Sequence, residues 1–388
     1  MSSVWPRSFG SRTVLLRLDL NVPLRNGRIV DDYKIQAALP TVQKLSSSPV
    51  IILTHLGEPT VQGEYEATDE LSLAPIARRL ANLTGRPVRL ASGSWDELEA
   101  YAATLRPGDI MLLENLRFWK GETANSRSFA RHLARLGEAY VNDAFAVSHR
   151  RHASVAAIKN YLPSYAGPEL RLEFAKLTRV KRGRRPLVVV MGGAKISSKL
   201  PLIKRFLPGA SQVLVGGALA NDLLRARGVS IGASYHEKGK PAAGSSVRSK
   251  KIILPEDAIV VDTRGDRKRQ PRICRIKDVA AHEAIVDIGP ETCRIFSEIL
   301  SGAQTIIWNG PMGTFEKSFA RKGTKAIVVA LVAARQRGAA IAAGGGETVE
   351  AIALFRKTDS IDWELTGGGA SLAFLSGENL PGLAGLLE

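Results

Sequence analysis

Two cysteines in 388 residues, Cys274 and Cys293, cannot supply a disulfide framework or a four-ligand zinc site. Reduced thiols are the expectation for both. Long apolar runs are missing too. The nearest, AIVVALVAA at 326–334, falls well short of the roughly 18 residues that suggest a membrane span. The opening MSSVWPRSFGSRT lacks the apolar core of a secretory signal. A cytoplasmic protein with no membrane partner is therefore expected. Carboxylates are scarce, 37 against 54 lysines and arginines, for a net charge of +17. That surplus draws anions to the whole surface, whether phosphorylated metabolites, nucleotides or nucleic acid. The two densest basic runs, RVKRGRRP at 179–186 and RGDRKRQPR at 264–272, carry no interleaved aromatics to stack on bases. Solvated loops are the favoured reading of both, and nucleic-acid binding the weaker one.

Familiar catalytic signatures are absent as well. There is no GxxxxGK[ST] phosphate loop and no GxGxxG dinucleotide turn. The HRD and DFG elements of protein kinases and the HExxH of zincins are missing. GVSIG at 228–232 fits the GxSxG nucleophile pattern, but that pattern needs a strand before the serine. LLRAR reads as helix there, so Ser230 is expected in an ordinary loop.

What is present is a short apolar run ending in a polar or glycine-rich turn, repeated along the chain. Early examples are TVLLRLDLNVP at 13–23, PVIILTHLGEP at 49–59, DIMLLENLRF at 109–118 and AYVNDAFAVSHR at 139–150. Later ones are PLVVVMGGAK at 186–195, QVLVGGALAND at 212–222, TIIWNGPMG at 305–313 and AAIAAGGGET at 339–348. Runs of β-branched residues without alternation suit strands covered on both faces, hence parallel strands. Helix-like stretches between them, such as 173–180, 198–207 and 324–338, complete βαβ units. The length calls for two domains rather than one core. In open α/β sheets ligands lie beyond the carboxyl ends of the strands, which makes these turns the candidate site. Turns before about residue 160 offer Asp, Asn, His and Arg; those after about 185 offer glycine clusters, lysine and a carboxylate. Cationic side chains suit a small multiply charged acid, and glycine-rich backbone suits nucleotide phosphates.

The turns resemble, in order along the chain, the motifs of the phosphoglycerate kinase family. LRLDLNVPL matches its R-V-D-F-N-V-P element, and DDYKIQAALPT, THLGEP, LLENLRF, VNDAFAVSHRRHAS, GGAKISSK, WNGPMGTFE, GGGET and TGGGAS each match another. One triple glycine is weak evidence; nine elements in sequence are strong. The resemblance implies an α/β fold of two Rossmann-like domains, parallel sheets flanked by helices, joined by an interdomain helix and hinge. Residues 1–165 would form the 3-phosphoglycerate domain, 166–371 the nucleotide domain, and 372–388 would pack back on the first. The implied activity is reversible phosphoryl transfer between ATP and 3-phosphoglycerate, giving ADP and 1,3-bisphosphoglycerate, with Mg2+ carried by the nucleotide. A monomer is expected.

Residue chemistry agrees with this. A phosphorylated acid has several negative charges, which arginine forks hold in bidentate fashion. The matching positions supply His55, Arg117, His149 and Arg150, with Asp19 and Asn21 for hydroxyl or carboxylate groups. Each has a plainer alternative. Arg117 could pair with Glu114, His55 could be a satisfied core histidine, His149 and His152 could line a strand end, and Asp19 and Asn21 could cap a turn. For the nucleotide, the amides of Gly192, Gly193 and Ala194 would cradle phosphates, with Lys195 and Lys199 adding charge. Gly344, Gly345, Gly346, Glu347 and Thr348 read as a helix N-terminus that favours anions, and Gly367–Gly369 repeat the device. The resemblance further implies that Glu316 contacts the ribose, that Asn309 and Pro311 shape the pocket, and that Glu347 serves the metal. It also implies a catalytic set of Lys34, Lys199, Gly345 and Gly368. Such a transfer needs positioning and charge neutralisation more than a proton-transfer group. Domain closure is expected near Pro163–Pro168 and the helix that follows.

Four site positions depart from the family pattern. Lys34 and Glu58 stand where arginines are expected, Ser198 where an aspartate is, and Glu347 where a shorter aspartate is. Lysine keeps charge but loses the guanidinium fork, an expected loss of about ten- to a hundredfold in rate. A glutamate about 4 Å from a substrate anion would cost on the order of 4 kcal/mol at an effective dielectric near 20, unless it turns away or pairs with a cation. The departures leave two further readings: a paralogue acting on another small acid, and a non-catalytic nucleotide-binding protein.

Overall fold

A computed structural model describes residues 5, 6, 8–61, 64, 65, 68–194, 196–239, 244–264, 270–355, 357 and 361–387. Lys195 and the middle of the basic run at 264–272 lie outside them. The chain divides into two compact units, Met1–Ala175 with Gly369–Phe374 and Glu378–Glu388, and Lys176–Gly368 with Leu375–Gly377. The helix Pro168–Lys181 carries the chain from the first to the second.

The first unit is built on six parallel strands in the order Ser164–Ala166, Ala139–Asn142, Val14–Arg17, Val50–Leu53, Ile110–Leu113, Val88–Ala91. Val14–Arg17, Val50–Leu53 and Ile110–Leu113 are buried at every position. The two-residue period of a strand sorts those side chains onto two faces. Val14, Leu16, Ile52 and Leu112 join Ile35, Val42, Ile76 and Leu80 of the helices Tyr33–Lys44 and Ala74–Thr84 on one side. Leu15, Ile51, Leu53 and Met111 join Leu98, Phe129 and Leu133 of Trp95–Ala102 and Arg127–Arg135 on the other. Burying each such side chain contributes about 1.5–3 kcal/mol, which is why the continuous apolar runs read as sheet core. The chain leaves the Val14–Arg17 strand toward Val50–Leu53 and later resumes on its other flank with Ala139–Asn142. A crevice for ligands therefore falls beyond the carboxyl ends of those strands. The C-terminal segment is tied to the same unit. The Gly382 amide donates to the Ser148 carbonyl at 2.8 Å, Asn142 Nδ2 donates to the Gly382 carbonyl at 3.0 Å, and Lys159 Nζ donates to the Pro381 and Ala384 carbonyls at 2.6 Å each.

The second unit repeats the plan with the parallel order Ile252–Ile253, Gln212–Val215, Leu187–Met191, Thr305–Asn309, Ala340–Ala343, Trp363–Glu364. Its switch point lies between Leu187–Met191 and Thr305–Asn309. Val188, Val190, Ile306 and Trp308 pack with Phe296 and Leu331 of the helices Pro290–Ser301 and Lys322–Gln336. This unit also carries a three-stranded antiparallel sheet, Arg272–Arg275, Asp257–Asp262 and Glu283–Ile288, which the run of parallel-strand signals does not foretell. Ser230 sits in the loop after the helix Gly217–Ala226, with no strand before it, so the GxSxG match is coincidence. Both cysteines are free. Among the described residues no helix is long and apolar enough to cross a membrane.

Candidate active site

In the first unit, the turns that follow the strand ends hold one another in place. Asn115, wholly buried, accepts from the amides of Leu56 and Arg117 at 3.1 and 3.2 Å and donates to the carbonyls of Leu56 and Leu71. It thereby clamps the His55–Gly57 turn to the Arg117 turn. Gly57 adopts φ +57°, where a side chain would be strained and would meet Leu71. Asn21 Oδ1 accepts the Gly57 amide at 3.0 Å, and Asp19 Oδ1 accepts the Asn21 amide at 3.3 Å. Asp19 Oδ2 takes the Lys34 ammonium at 2.8 Å. Asp19 and Asn21 are thus structural clasps at the crevice, and Lys34 arrives already paired.

Arg117 is 4% exposed and donates to the Gly57 carbonyl. Its ion-pair partner is Glu58, at 3.3 Å, rather than Glu114. The Glu114 carboxylate instead accepts from the Ser72 hydroxyl and the Leu73 and Asn115 amides at 2.8 Å each. Arg150 reaches the same Glu58 oxygen at 3.7 Å. Glu58, with its side chain 71% exposed, therefore leans over the two arginines as a counter-ion. Arg117 Nε is buried without a hydrogen-bond partner among the described residues, and burial followed by Arg150 lowers the guanidinium's pKa. The arginine pair is under-neutralised from within the protein, which is the condition of a site that expects an anion. His149 and His152 lie alongside. Burial and then Arg150 depress both, His152 to about 4, so neither adds charge at neutral pH.

Arg17 falls inside the LRLDLNVPL match without being given a role there, and nothing in the sequence marks Glu122; both are buried beneath this basin. Arg17 Nε donates to Ser154 Oγ at 3.0 Å, and that hydroxyl donates to Glu122 Oε1 at 2.6 Å. For Arg17 the further signal is a charged residue closing an otherwise apolar strand run; Glu122, in the short helix Lys120–Thr123, has none.

In the second unit, a cavity of about 300 Å³ opens at the switch point. Gly193, Gly217, Pro311, Met312, Asp287 and Tyr235 are among the residues lining it, with Glu316 and Glu347 also on its wall. Lys199 Nζ donates to the Gly192 carbonyl. A Cβ placed on Gly193 would stand 2.8 Å from Lys199 Nζ and 3.6 Å from Glu347 Oε2, so cation and carboxylate converge on that glycine. Burial holds the Lys199 ammonium down to about 8, Glu347 opposing only in part.

The first glycine cluster serves the site differently from expectation. The Gly192 and Gly193 amides donate to the Asn309 and Pro311 carbonyls at 2.9 and 3.0 Å, so neither is left for a phosphate. Their glycine identity is required by close backbone approach: a Cβ on Gly192 would collide with the Pro311 carbonyl. Of that expected cradle only Ala194 remains exposed, and Lys195 lies outside the described residues. Asn309 donates to the Gly344 carbonyl and Thr348 Oγ1 accepts the Gly310 amide at 2.7 Å, which staples the two turns together. Gly345, at φ +100°, caps the helix Gly346–Leu354; the Gly345 carbonyl accepts the Thr348 and Val349 amides at 2.9 and 3.0 Å, which leaves the Gly346 and Glu347 amides without an intrahelical acceptor. The Gly368 amide donates to the Leu365 carbonyl at 3.1 Å and is not available in this conformation. Ser198 lies on the exposed side of the helix Ile196–Phe206. Asp287, buried and lifted to about 7 by desolvation, accepts from the Gly323 and Ile288 amides at 2.8 and 2.9 Å. It and its strand are wall residues that the turn motifs do not reveal.

Comparison with known proteins gives a consistent result. A family model described as phosphoglycerate kinase matches residues 7–378. The phosphoglycerate kinase of Chloroherpeton thalassium is 43% identical over 390 residues, covering 98% of this chain and 97% of the relative. That of Thermomicrobium roseum is 42% identical over 387 residues, with 97% of each covered. The solved phosphoglycerate kinase from Coxiella burnetii aligns with TM-score 0.81 at 36% identity, covering 97% of this chain and 96% of that one. The one from Pyrococcus horikoshii aligns with TM-score 0.76 at 29% identity, covering 98% and 96%.

Proposed function

The chain belongs to the phosphoglycerate kinase family, and from that premise we propose how its two units share the reaction. The enzyme is a phosphotransferase with a carboxyl group as acceptor. It moves a phosphoryl group reversibly between ATP and 3-phosphoglycerate, yielding ADP and 1,3-bisphosphoglycerate. The observation that carries the assignment of roles is the pair Arg117 and Arg150, held with His55 at the first unit's strand ends and short of counter-charge. Such a cluster suits an acid that carries both carboxylate and phosphate. The largely apolar cavity beside Lys199 suits the nucleotide, its base against Ala258, Leu224 and Met312 and its ribose toward Glu316.

The acceptor carboxylate is ionised at neutral pH, so no general base is needed and none is assigned. Lys199 supplies the positive charge at the donor phosphate, and the open amides of the helix Gly346–Leu354 add their dipole. Among the described residues no group of three or more metal-binding side chains exists. Magnesium needs no such group, since it keeps several waters and takes one or two carboxylates together with phosphate oxygens. Glu347, beside Lys199, is the residue that would hold it; when bound, the ion neutralises phosphate charge. In-line transfer requires donor and acceptor to meet with water excluded, so this reading includes a closing motion about the helix Pro168–Lys181. A soluble cytoplasmic enzyme is part of the same proposal.

The direct test is a coupled assay with ATP, Mg2+ and 3-phosphoglycerate, alongside thermal stabilisation by each ligand separately. Turnover with stabilisation by both is expected. Stabilisation by ATP alone, without turnover, would refute the acid assignment.

Glu58 carries its own prediction. As an exposed counter-ion it competes with the substrate for Arg117 and Arg150, and such a pair is worth about 1 kcal/mol or less. The substitution Glu58→Gln should lower KM for 3-phosphoglycerate about three- to fivefold, and Glu58→Arg should lower it further. An unchanged KM in both would remove Glu58 from the acid site.

A further inference from the structure

His55 is 4% exposed and sits among cations on every side: Arg17 from the strand Val14–Arg17, Arg117 and Arg150 from the adjoining turns, and Lys34 from the helix Tyr33–Lys44. The nearest carboxylates are committed elsewhere. Asp19 pairs with Lys34, Glu58 with Arg117 and Arg150, and Glu122 accepts from Ser154 Oγ and the Ser154 amide at 2.6 and 2.8 Å. Arg17 Nη2 lies 3.3 Å from His55 Nδ1. The rest of its guanidinium is fixed, with Nε on Ser154 Oγ and Nη1 on the Leu18 and Leu53 carbonyls.

A guanidinium has donors only. The contact with Arg17 therefore requires Nδ1 of His55 to present a lone pair, which leaves the ring proton on Nε2. Nε2 has no hydrogen-bond partner among the described residues. A second proton on the ring would add a further positive charge to an already crowded cluster. Burial first, and then Arg17, Arg117, Arg150 and Lys34, drive the His55 pKa far below its ordinary value.

We propose that Arg17 is a positioning residue: anchored through Ser154 to the buried Glu122, it donates to His55 Nδ1 and holds that imidazole as the neutral tautomer whose Nε2–H is offered to the acid substrate. His55 thus acts as an uncharged donor in a site whose charge comes from arginines. A buried charged pair such as Arg17 with Glu122 adds little net stability over apolar residues. Its function here is to fix one orientation and one tautomer. The inference rests on the acid-site reading for the use of Nε2–H, but the tautomer itself is tested without substrate.

The experiment is a long-range proton–nitrogen correlation spectrum of the full-length protein with 15N-labelled histidine, from pH 5.5 to 8. His55 is expected to show an unprotonated Nδ1 and a protonated Nε2 throughout. In the double variant Arg17→Met/Glu122→Gln, which removes both buried charges together, the ring is expected to mix tautomers while staying neutral, since burial, Arg117, Arg150 and Lys34 still oppose a second proton. A protonated Nδ1 or an imidazolium in the wild type would overturn the proposal, and so would an unaltered ring in the double variant. If the variant fails to fold, the wild-type spectrum still decides. The kinetic arm compares His55→Asn, whose amide reaches the Nδ1 position, with His55→Gln, whose amide reaches Nε2. The asparagine variant should show a KM for 3-phosphoglycerate about tenfold above that of the glutamine variant. Equal KM values would count against the Nε2–H. The predicted spectrum in a protein inactive on 3-phosphoglycerate would leave the tautomer standing and sink the function instead.

Discussion

Replacing Lys199 with methionine is expected to lower kcat about a hundred- to a thousandfold while leaving KM for 3-phosphoglycerate nearly unchanged. Phosphoryl transfer leaves the protein little covalent work, so the barrier depends on neutralising charge on the moving group. Lys199 is the described cation at the switch point of the second unit. Its ammonium fits against two glycines: Cβ atoms on Gly193 and Gly310 would stand 2.8 and 2.7 Å from Nζ. That space admits an ammonium and not a guanidinium, so Lys199→Arg should lose nearly as much as the methionine variant although the charge is kept. The wild type offers a pH test as well. The protonated amine is the form that neutralises phosphate, and burial places its midpoint at about 8. For free enzyme, kcat/KM for ATP should therefore fall as pH rises through about 8. Bound phosphates favour the ammonium, so ATP binding near that pH should take up a proton. Calorimetry in buffers of different ionisation heat measures the uptake. A methionine variant within a few fold of wild type would move the neutralising role elsewhere, Lys195 first.

The sheets were legible because covered parallel strands are continuous apolar runs, as VLLR, VIIL and TIIWN show, and each lands on a buried strand. The turns were legible because strand ends in such sheets are where polar and glycine residues collect. What could not be read is the pairing of side chains distant in sequence. Ser154 lies 137 residues from Arg17, and Arg117 lies 59 from Glu58, so nothing local announces either contact. The first glycine cluster misled for a related reason. A glycine selected for backbone collision, as at Gly192 against the Pro311 carbonyl, looks the same in sequence as one selected for phosphate approach. The antiparallel sheet was missed because Asp257–Asp262 and Glu283–Ile288 begin or end in carboxylates and read as broken runs.

The second large effect belongs to Arg117, where function and stability should move in opposite directions. Arg117→Met removes a buried cation that faces Arg150 and Arg17, and Glu58, its one ion-pair partner among the described residues, is mostly in water. Stranding Glu58 costs little because it is already solvated, whereas removing an under-neutralised buried charge and substituting an apolar chain of similar length relieves desolvation and repulsion. The lost hydrogen bond to the Gly57 carbonyl offsets part of that gain. We expect the variant to melt about 2–4 °C above the wild type when no ligand is present. With 3-phosphoglycerate the order should reverse. Two charge-assisted hydrogen bonds to the substrate, at about 1.5–3 kcal/mol each, are lost, so KM should rise about a hundredfold or more. Ligand at a hundred times Kd stabilises the wild type by about 2.7 kcal/mol and should leave the variant near its apo value. Paired melting curves with and without 3-phosphoglycerate decide the matter. If the methionine variant is less stable in both, Arg117 is a structural residue; if both proteins gain equally from ligand, the acid binds somewhere other than this arginine pair.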